Sequence, residues 1–516
     1  MLSSNNNVET ISRWVLALLL LLTVFEIAFF PSGENIYGCF TFILGWLLLS
    51  KFVMKQRQVN NCFIPFIALF GIGMCFYFFP LFVTLFEGKP LTYNFSVPYL
   101  TFTCQLLNLM MLIAAYRLCL KVYRPTNSLT RLWSKLGYFT PPTDAQIWIM
   151  GFIGIASQLA LLAVMGTDDA RAENLGFIGH LLGVTKTFSA FPCLLLFKHL
   201  YTDADYKKAF TKPIILYLIL LAVLGLATGK RTAMFSSFVT IGVCYILPLF
   251  TENKKLFTQK MVFATFFGIY IVTGPFVDFA IAIALGRDNS GNTSAERTLE
   301  KIWDIYQDKE RLNTMYKATL LLTDNKGDNL QGWSEYYVDN IVMDRFCNLR
   351  VCDMSIDYAE KLGFDNPRMQ EYASNYILFL VPTPILQAFG VTINKFEHQY
   401  TPGDLFSMEA LNIKYYHGYR VAGDVGIGLY LWGWWYYLFA FFIYFVLFYF
   451  LSSTVKMNQF GALIFPLPVL IAMFRHFLLF NNGTGILGVL STILRTGWQA
   501  IVVYCIIFFV IRKIVR

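Results

Sequence analysis

The feature that most constrains this chain is a series of long apolar blocks separated by short polar breaks. About twenty apolar residues cross the hydrocarbon core of a bilayer as one helix. Only 14% of the 516 residues are charged, whereas soluble proteins carry roughly 25%. The blocks predict an all-α, polytopic membrane helix bundle, and they exclude a disordered chain, a collagen-like fibre and an ordinary cytosolic enzyme. The twelve predicted spans are residues 13–30, 37–50, 62–86, 97–120, 146–165, 176–197, 213–228, 232–250, 261–285, 425–452, 461–480 and 487–511.

The distribution of Lys and Arg predicts the orientation of these spans, because cytoplasmic loops are enriched in both residues. With both termini in the cytoplasm, the inside tails and loops hold 19 basic residues and the short outside loops hold five. The opposite orientation would invert this asymmetry. The net charge of +9 belongs to the membrane part, so we expect no nucleic-acid partner.

Residues 286–423 form the longest polar segment, with 14 Lys and Arg against 19 Asp and Glu. A structureless loop of this length is unusual. The sequence therefore predicts a helical external cap between two parts of a bundle, 1–285 and 424–516. Within the cap, helices are predicted near 299–316, 334–350 and 355–362, and the apolar stretch 376–388 is a candidate re-entrant or interfacial segment. The spacing of Cys347 and Cys352 leaves open whether they are oxidised or free.

Several basic side chains lie inside the predicted spans or at their outer ends, against the charge bias. Intramembrane ionisable groups are costly and usually serve a site. Arginine stays charged and binds phosphate with two parallel hydrogen bonds, so the set predicts a pyrophosphate site at the outer boundary of the membrane. The alternative for each residue is a carboxylate partner, a lipid headgroup or, for Lys186, snorkelling. Glu26 and Asp278 are expected to pair with these cations. The candidate phosphate ligands are Arg231, Lys230, Arg475, Arg495, Arg420, Arg345, Arg171 and Lys186.

A glycine-rich stretch, GDVGIGLYLWG at 423–433, follows the predicted cap. Small residues let helices approach closely in lipid; the other interpretation is that they let a lipid phosphate approach the backbone. The chain contains no Walker-type loop, no HExxH, no Gly-x-Ser-x-Gly and no zinc-type cysteine pair. We therefore expect neither a metal nor a cofactor.

Together with the topology, GKRTAM at 229–234, LVPTP at 380–384 and the glycine-rich stretch resemble the Wzy-type O-antigen and oligosaccharide repeat unit polymerases. The resemblance implies a GT-C-like glycosyltransferase of the bacterial inner membrane. Such an enzyme joins undecaprenyl-diphosphate-linked glycans on the periplasmic side, where the cap would lie, and a chain-length regulator is a further expected partner. Arg231 matches an arginine that opens a span, Asp424 matches the motif after the loop, and Arg345 only roughly fits a loop arginine.

The implied mechanism needs cations that offset the charge of a departing diphosphate and a group that takes a proton from the acceptor hydroxyl. The sequence does not separate four candidates for this base. One alternative is an O-antigen ligase that transfers polymer to the lipid A core. A second is a transporter or flippase for lipid-linked sugars, although the two similar halves typical of transporters are absent. The candidate bases are His417, Glu409, Asp424 and His476.

Overall fold

The computed structural model describes most of the chain, and the described residues are predominantly helical. This confirms the predicted all-α membrane bundle. One short antiparallel hairpin pairs Lys456 with Ile464 and Met457 with Leu463. The described residues are 7–165, 176–202, 211–227, 231–251, 275–286, 295–312, 314–315, 336–340, 342–381, 383–391, 400–411, 420–458, 461–481 and 483–515.

Helices follow one another with short joints through the first part of the chain. They are α1 (Asn7–Phe29), α2 (Gly33–Phe52), α3 (Gln56–Asn61), α4 (Phe63–Tyr77), α5 (Phe79–Phe86), α6 (Pro98–Val122), α7 (Ser128–Lys135), α8 (Asp144–Met165), α9 (Gly176–Thr185), a 3₁₀ helix (Lys186–Leu200), α10 (Lys212–Ala227), α11 (Arg231–Ile246), α12 (Pro248–Thr251), α13 (Pro275–Gly286) and α14 (Ala295–Gln307).

The second part contains shorter helices as well as long ones. They are a 3₁₀ helix (Met343–Phe346), α15 (Leu349–Leu362), α16 (Pro367–Leu380), α17 (Thr383–Ala388), α18 (Pro402–Leu411), α19 (Asp424–Trp432), a 3₁₀ turn (Gly433–Trp435), α20 (Tyr436–Ser452), β1 (Lys456–Met457), β2 (Leu463–Ile464), α21 (Leu467–Phe477), a 3₁₀ turn (Leu479–Asn481), α22 (Gly485–Ser491), a π-helix (Thr492–Thr496) and α23 (Gly497–Ile514).

Eight helical stretches among the described residues are long and apolar enough to cross a membrane, and three shorter apolar helices accompany them. The protein is therefore a multi-pass membrane protein. The predicted ninth span, 261–285, lies mostly outside the described residues. The eight stretches, chosen by length and composition, are Asn7–Phe29, Gly33–Phe52, Phe63–Phe86, Pro98–Val122, Asp144–Val164, Leu181–Leu200, Asp424–Ser452, which a turn at Gly433 divides, and Gly485–Ile514.

The chain divides into two compact units. Unit 1 comprises Met1–Tyr123, Leu321–Ser452 and Arg475–Trp498, and unit 2 comprises the remaining segments. The boundaries of these units differ from the predicted boundaries at 285 and 423. The predicted boundaries separate membrane spans from the external cap, whereas the units group segments that pack together.

Unit 2 is held together by aromatic and close backbone contacts. The ring of Tyr504 meets those of Tyr138, Phe188 and Phe191 at centroid distances of 5.8–6.1 Å. Gly154 of α8 leaves room for the following 3₁₀ helix, because a Cβ there would lie 2.0 Å from the Ser189 nitrogen. The absence of a side chain at this position thus allows the two helices to pack backbone to backbone.

In unit 1, α15 is nearly completely buried, although the sequence placed it in an external cap. The Asp353 carboxylate, 0% exposed, accepts the N–H groups of Ser96 and Val97 at 2.7 and 3.0 Å and the Thr101 hydroxyl at 2.9 Å. It also pairs with Arg350 at 2.7 Å. A carboxylate at a helix N-terminus satisfies free N–H groups and the helix dipole. α15 therefore caps the long helix α6.

The region predicted as a helix over 334–350 is not helical at its described start. Glu87 accepts the N–H groups of Asp339 and Asn340 at 2.7 and 3.0 Å, so these groups are committed to a tertiary partner. Lys89 joins the same cluster through Asp339 at 2.7 Å and Glu87 at 3.0 Å. Burial lowers the pKa of Lys89, but the two carboxylates outweigh burial and raise it overall. Regular helix begins only at Leu349.

The predicted tenth span is two helices rather than one. Asp424 Oδ2 lies 2.6 Å from the hydroxyl of Tyr444, yet twenty residues of a continuous helix extend about 30 Å. The chain turns at Gly433, whose φ of +55° favours glycine. α19 thus folds back on α20. The N–H groups of Asp365 and Asn366 bond to the carbonyls of Leu429 and Tyr430 at the end of α19.

The glycine-rich stretch serves close packing, as the first of its two interpretations predicted. A Cβ at Gly423 would lie 2.8 Å from the Cα of Cys352, and one at Gly428 would lie 2.0 Å from the ring of Tyr436. The Gly423 N–H also donates to Ser355 at 2.8 Å. Protein atoms therefore occupy the glycine faces of α19.

We expect Gly426→Ala to destabilise unit 1, because its Cβ would lie 2.4 Å from the Cβ of Ser355. Overpacking of this kind costs about 1–3 kcal/mol. The measurement is thermal unfolding of the purified protein in detergent. Gly242→Ala is the matched control, since nothing lies within 4 Å of its added Cβ. Equal melting temperatures for the two variants would contradict the packing role of Gly426.

Candidate functional site

The last predicted span contains an irregular turn that carries a cation. The π-helix Thr492–Thr496 separates α22 from α23, and Arg495 lies within it. The indole N–H of Trp498 donates to the Ile493 carbonyl at 2.8 Å. This carbonyl lies in the π turn, and the indole gives it a side-chain partner. Single π turns inside α-helices occur frequently at functional sites, so this turn is the first part of the candidate site.

Arg495 reaches a second helix through its guanidinium group. Its Nη1 donates to the carbonyl of Phe379 at 3.3 Å, in the last turn of α16. Basic groups favour helix C-termini, where carbonyls lack intrahelical partners. No described carboxylate forms an ion pair with Arg495. The guanidinium has five N–H donors, and the contact with Phe379 uses one of them.

Exposed apolar side chains lie near Arg495. Its neighbour Leu494 is 57% exposed, and Ile377 and Leu378 of α16 are 39% and 38% exposed. Tyr376 lies beside Ser491 of the last span. A cation next to exposed apolar surface suits a ligand with an anionic head and an apolar tail.

Arg475 and His476 lie together at the end of α21. Arg475 is exposed and has no ion-pair partner among the described residues, and the described part of the chain offers His476 no hydrogen bond. Their position is fixed by Phe477, whose carbonyl would lie 1.8 Å from a Cβ at Gly71. This pair is the second part of the candidate site. Arg475 at the end of α21 and Arg495 in the π-helix after α22 both lie in the part of unit 1 formed by Arg475–Trp498.

Asp424 forms a buried network rather than an open acid–base group. Its Oδ2 accepts from Tyr444 at 2.6 Å and lies 3.0 Å from the Tyr436 hydroxyl, which also lies 3.2 Å from Asn108 Oδ1. Asp424 is 5% exposed, and a Cβ on Gly485 would lie 2.8 Å from Oδ1. This geometry connects α6, α19, α20 and the start of α22, and it leaves the role of Asp424 in proton transfer a prediction.

The remaining candidates in unit 1 have separate surroundings. Glu409 pairs with Arg368. Arg420 donates its N–H to Asp404 at 3.1 Å, and its carbonyl accepts from Thr401, so its backbone is tied to the start of α18. Arg345 is exposed on a 3₁₀ helix. His417 lies outside the described residues.

The candidates in unit 2 are only partly described. Lys186 is exposed at the start of a 3₁₀ helix, and the backbone of Arg231 begins α11. Lys230, Arg171 and the side chain of Arg231 lie outside the described residues. A joint phosphate site formed by all eight cations therefore stays a prediction.

Two acidic residues predicted to pair with the intramembrane cations have other partners. Glu26, 0% exposed in α1, accepts the N–H of Leu91 at 2.7 Å. Asp278 pairs with Lys309 at 3.5 Å. Leu91 lies in the connection between α5 and α6, and Lys309 lies in the helical residues 309–312; single-sequence reasoning had no signal to find either partner.

Cys347 and Cys352 are buried free thiols, which settles the alternative that the sequence left open. Burial raises the pKa of both thiols. Among the described residues, no group of three or more His, Cys, Asp or Glu side chains could hold a metal ion.

Comparisons with known proteins identify no relative: no protein-family model matches the chain, no curated protein matches its sequence and no solved structure matches its fold.

Proposed function

We propose that this protein is a GT-C-like glycosyltransferase with twelve spans that polymerises undecaprenyl-diphosphate-linked oligosaccharide repeat units. The reaction takes place at the periplasmic face of the bacterial inner membrane, with both termini in the cytoplasm. The product is O-antigen or a related surface polysaccharide. The proposal combines the resemblance in the sequence with the local geometry of unit 1.

The observation that carries the proposal is Arg495, a cation without a described carboxylate partner inside an apolar helix. Ionisable groups inside a membrane are costly and usually serve a site, and the one described contact of Arg495 is the carbonyl of Phe379. A diphosphate at the membrane boundary would supply the missing negative charge, and a polyprenyl tail would match the exposed apolar side chains beside it.

In the proposed reaction, the growing chain leaves its lipid diphosphate and joins the acceptor sugar of a new lipid-linked unit. Fixed cations stabilise the negative charge that develops on the departing diphosphate. Arg475 and Arg495 perform this role in unit 1, with Arg231 as the expected contribution of unit 2. A donor site built of arginines binds phosphate oxygens through the paired hydrogen bonds of each planar guanidinium group.

His476 has the best-supported position for the proton acceptor. It adjoins Arg475 directly, and the described part of the chain commits neither of its nitrogens to a hydrogen bond. Glu409 is occupied by Arg368, and Asp424 is enclosed by two tyrosines. A general base must come within hydrogen-bond reach of the acceptor hydroxyl, and we propose that His476 takes this position.

The test is complementation of a polysaccharide-producing cell that lacks this chain, followed by analysis of lipid-linked intermediates. We expect Arg475→Ala to abolish long polymer and leave single repeat units on undecaprenyl diphosphate. Arg131→Ala, an exposed arginine of α7, is the control and should restore full-length polymer. Protein levels in the membrane are measured in parallel.

Other outcomes identify the alternatives. Long chains retained on undecaprenyl diphosphate would indicate a ligase. Single units confined to the cytoplasmic leaflet would indicate a flippase. Normal polymer with Arg475→Ala at normal protein levels would contradict the role given to Arg475.

A further inference from the structure

We propose that the segment formed by α16 and α17, Pro367–Ala388, dips into one leaflet of the bilayer without crossing it. Its apolar side chains would then lie against lipid acyl chains. This inference concerns the membrane position of the segment and stands independently of the proposed enzyme activity.

The sequence around the segment is unusually free of charge. Residues 372–394 contain no Asp, Glu, Lys or Arg over 23 positions, although 286–423 as a whole holds 33 such residues. A straight helix of this length could cross a bilayer. The structure instead ends α16 at Leu380 and begins a short helix at Thr383, and the fourteen residues of α16 extend only about 21 Å.

Exposed side chains change from polar to apolar along the segment. Arg368, Glu371 and Ser374 are exposed in the first half of α16. Beyond them, among the residues whose exposure is described, the exposed large side chains are apolar apart from Gln387: Ile377 at 39%, Leu378 at 38% and Ile385 at 47%, with Phe389 just after α17 at 81%. Such a gradient is expected for a helix that begins in water and ends among acyl chains.

The contact with Arg495 sets the depth of the segment. Arg495 lies seventeen residues before Arg512, a helical distance of about 25 Å. The hydrocarbon core is about 30 Å thick. If Arg512 and Lys513 mark one water boundary, Arg495 lies on the hydrocarbon side of the other. The carbonyl of Phe379, bound to Arg495 at 3.3 Å, lies at the same depth.

Described backbone groups at the ends of α16 and α17 have hydrogen-bond partners, as an apolar environment requires. Lipid supplies no hydrogen-bond partners for free N–H and C=O groups. The N–H of Val391 bonds to the carbonyl of Leu386 at 2.9 Å, and the N–H of Gly390 to that of Gln387 at 3.0 Å. Gly390 has a φ of +73°, which closes α17 in a C-terminal motif typical of glycine. Arg495 supplies the corresponding partner at the end of α16.

The experiment places single nitroxide labels at Ile385→Cys and Phe389→Cys in the full-length protein in lipid nanodiscs. The ten native cysteines are buried, and an unsubstituted sample measures their residual labelling. Accessibility to molecular oxygen and to a water-soluble nickel chelate is measured by electron paramagnetic resonance. We expect high oxygen and low nickel accessibility at both sites, with a depth below the lipid phosphates.

Glu371→Cys, in the polar half of α16, is the matched control and should be accessible to the nickel chelate. Nickel accessibility at Ile385 and Phe389 equal to that at Glu371 would overturn the proposal. A second measurement needs no substitution: a membrane-confined carbene reagent should label residues 377–389 at least five-fold more than 367–374 in the native protein. Equal labelling of the two halves would overturn the proposal, whatever the polymerisation activity of the sample.

Discussion

Arg495→Ala is expected to reduce polymer formation by a hundredfold or more at a normal level of membrane protein. Removing one preorganised donor from a charge-stabilising site lowers turnover by about 10²–10³. Arg495 has no described carboxylate partner, so its charge is available to a bound diphosphate. The measurement is the rate of chain extension in membranes supplied with lipid-linked repeat units.

Two further substitutions separate charge from position. Arg495→Gln keeps a donor for the carbonyl of Phe379 but removes the charge, so it should be almost as inactive as the alanine variant. Arg495→Lys keeps a point charge without the planar fork and should retain partial activity. If the glutamine variant works as well as the wild type, Arg495 only positions α16 and the electrostatic role fails.

Asp353→Ala is expected to cause the largest loss of stability among single substitutions in unit 1. The substitution removes the carboxylate that pairs with Arg350, which is 4% exposed, at 2.7 Å. It also removes the acceptor for the N–H groups of Ser96 and Val97. Breaking a buried ion pair in this way costs about 3–5 kcal/mol. The measurement is the melting temperature of the purified protein, together with its yield in the membrane.

A double variant and a surface control make this prediction specific. Replacing both partners, Arg350→Met with Asp353→Leu, removes the uncompensated charge and should be less damaging than Asp353→Ala alone. Asp339→Ala removes an ion pair whose carboxylate is 54% exposed, and exposed pairs contribute about 0–1 kcal/mol. Similar melting temperatures for Asp353→Ala and Asp339→Ala would rule out a capping role for Asp353.

The membrane helices could be predicted from the sequence because the bilayer imposes the same requirement on each segment separately. A block of apolar residues must satisfy its own backbone groups within a helix, whatever the rest of the chain does. The predicted spans 13–30, 37–50, 62–86 and 97–120 accordingly overlap the long apolar stretches at the start of the chain. Close packing of the glycine-rich stretch was one of two interpretations that the sequence left open.

The prediction was wrong where one distant residue decided the local conformation. Helical spacing over 334–350 did not include Glu87, whose carboxylate binds the N–H groups of Asp339 and Asn340. Apolar composition over 425–452 indicated one span, but Gly433 permits a turn and Asp424 meets Tyr444. Hydropathy is averaged over a window of residues, so it does not detect a change of chain direction inside that window.

The sequence by itself determined an all-α membrane protein, because the cost of placing polar groups in lipid acts on each residue according to its own chemistry. Only the tertiary structure decided which partners those polar groups have. Asp353 binds the start of α6, Glu26 binds a connecting segment, and Arg495 binds the end of α16. These pairings join residues 65 to 256 positions apart in the chain, and their free energy depends on packing that brings distant groups within about 3 Å of one another.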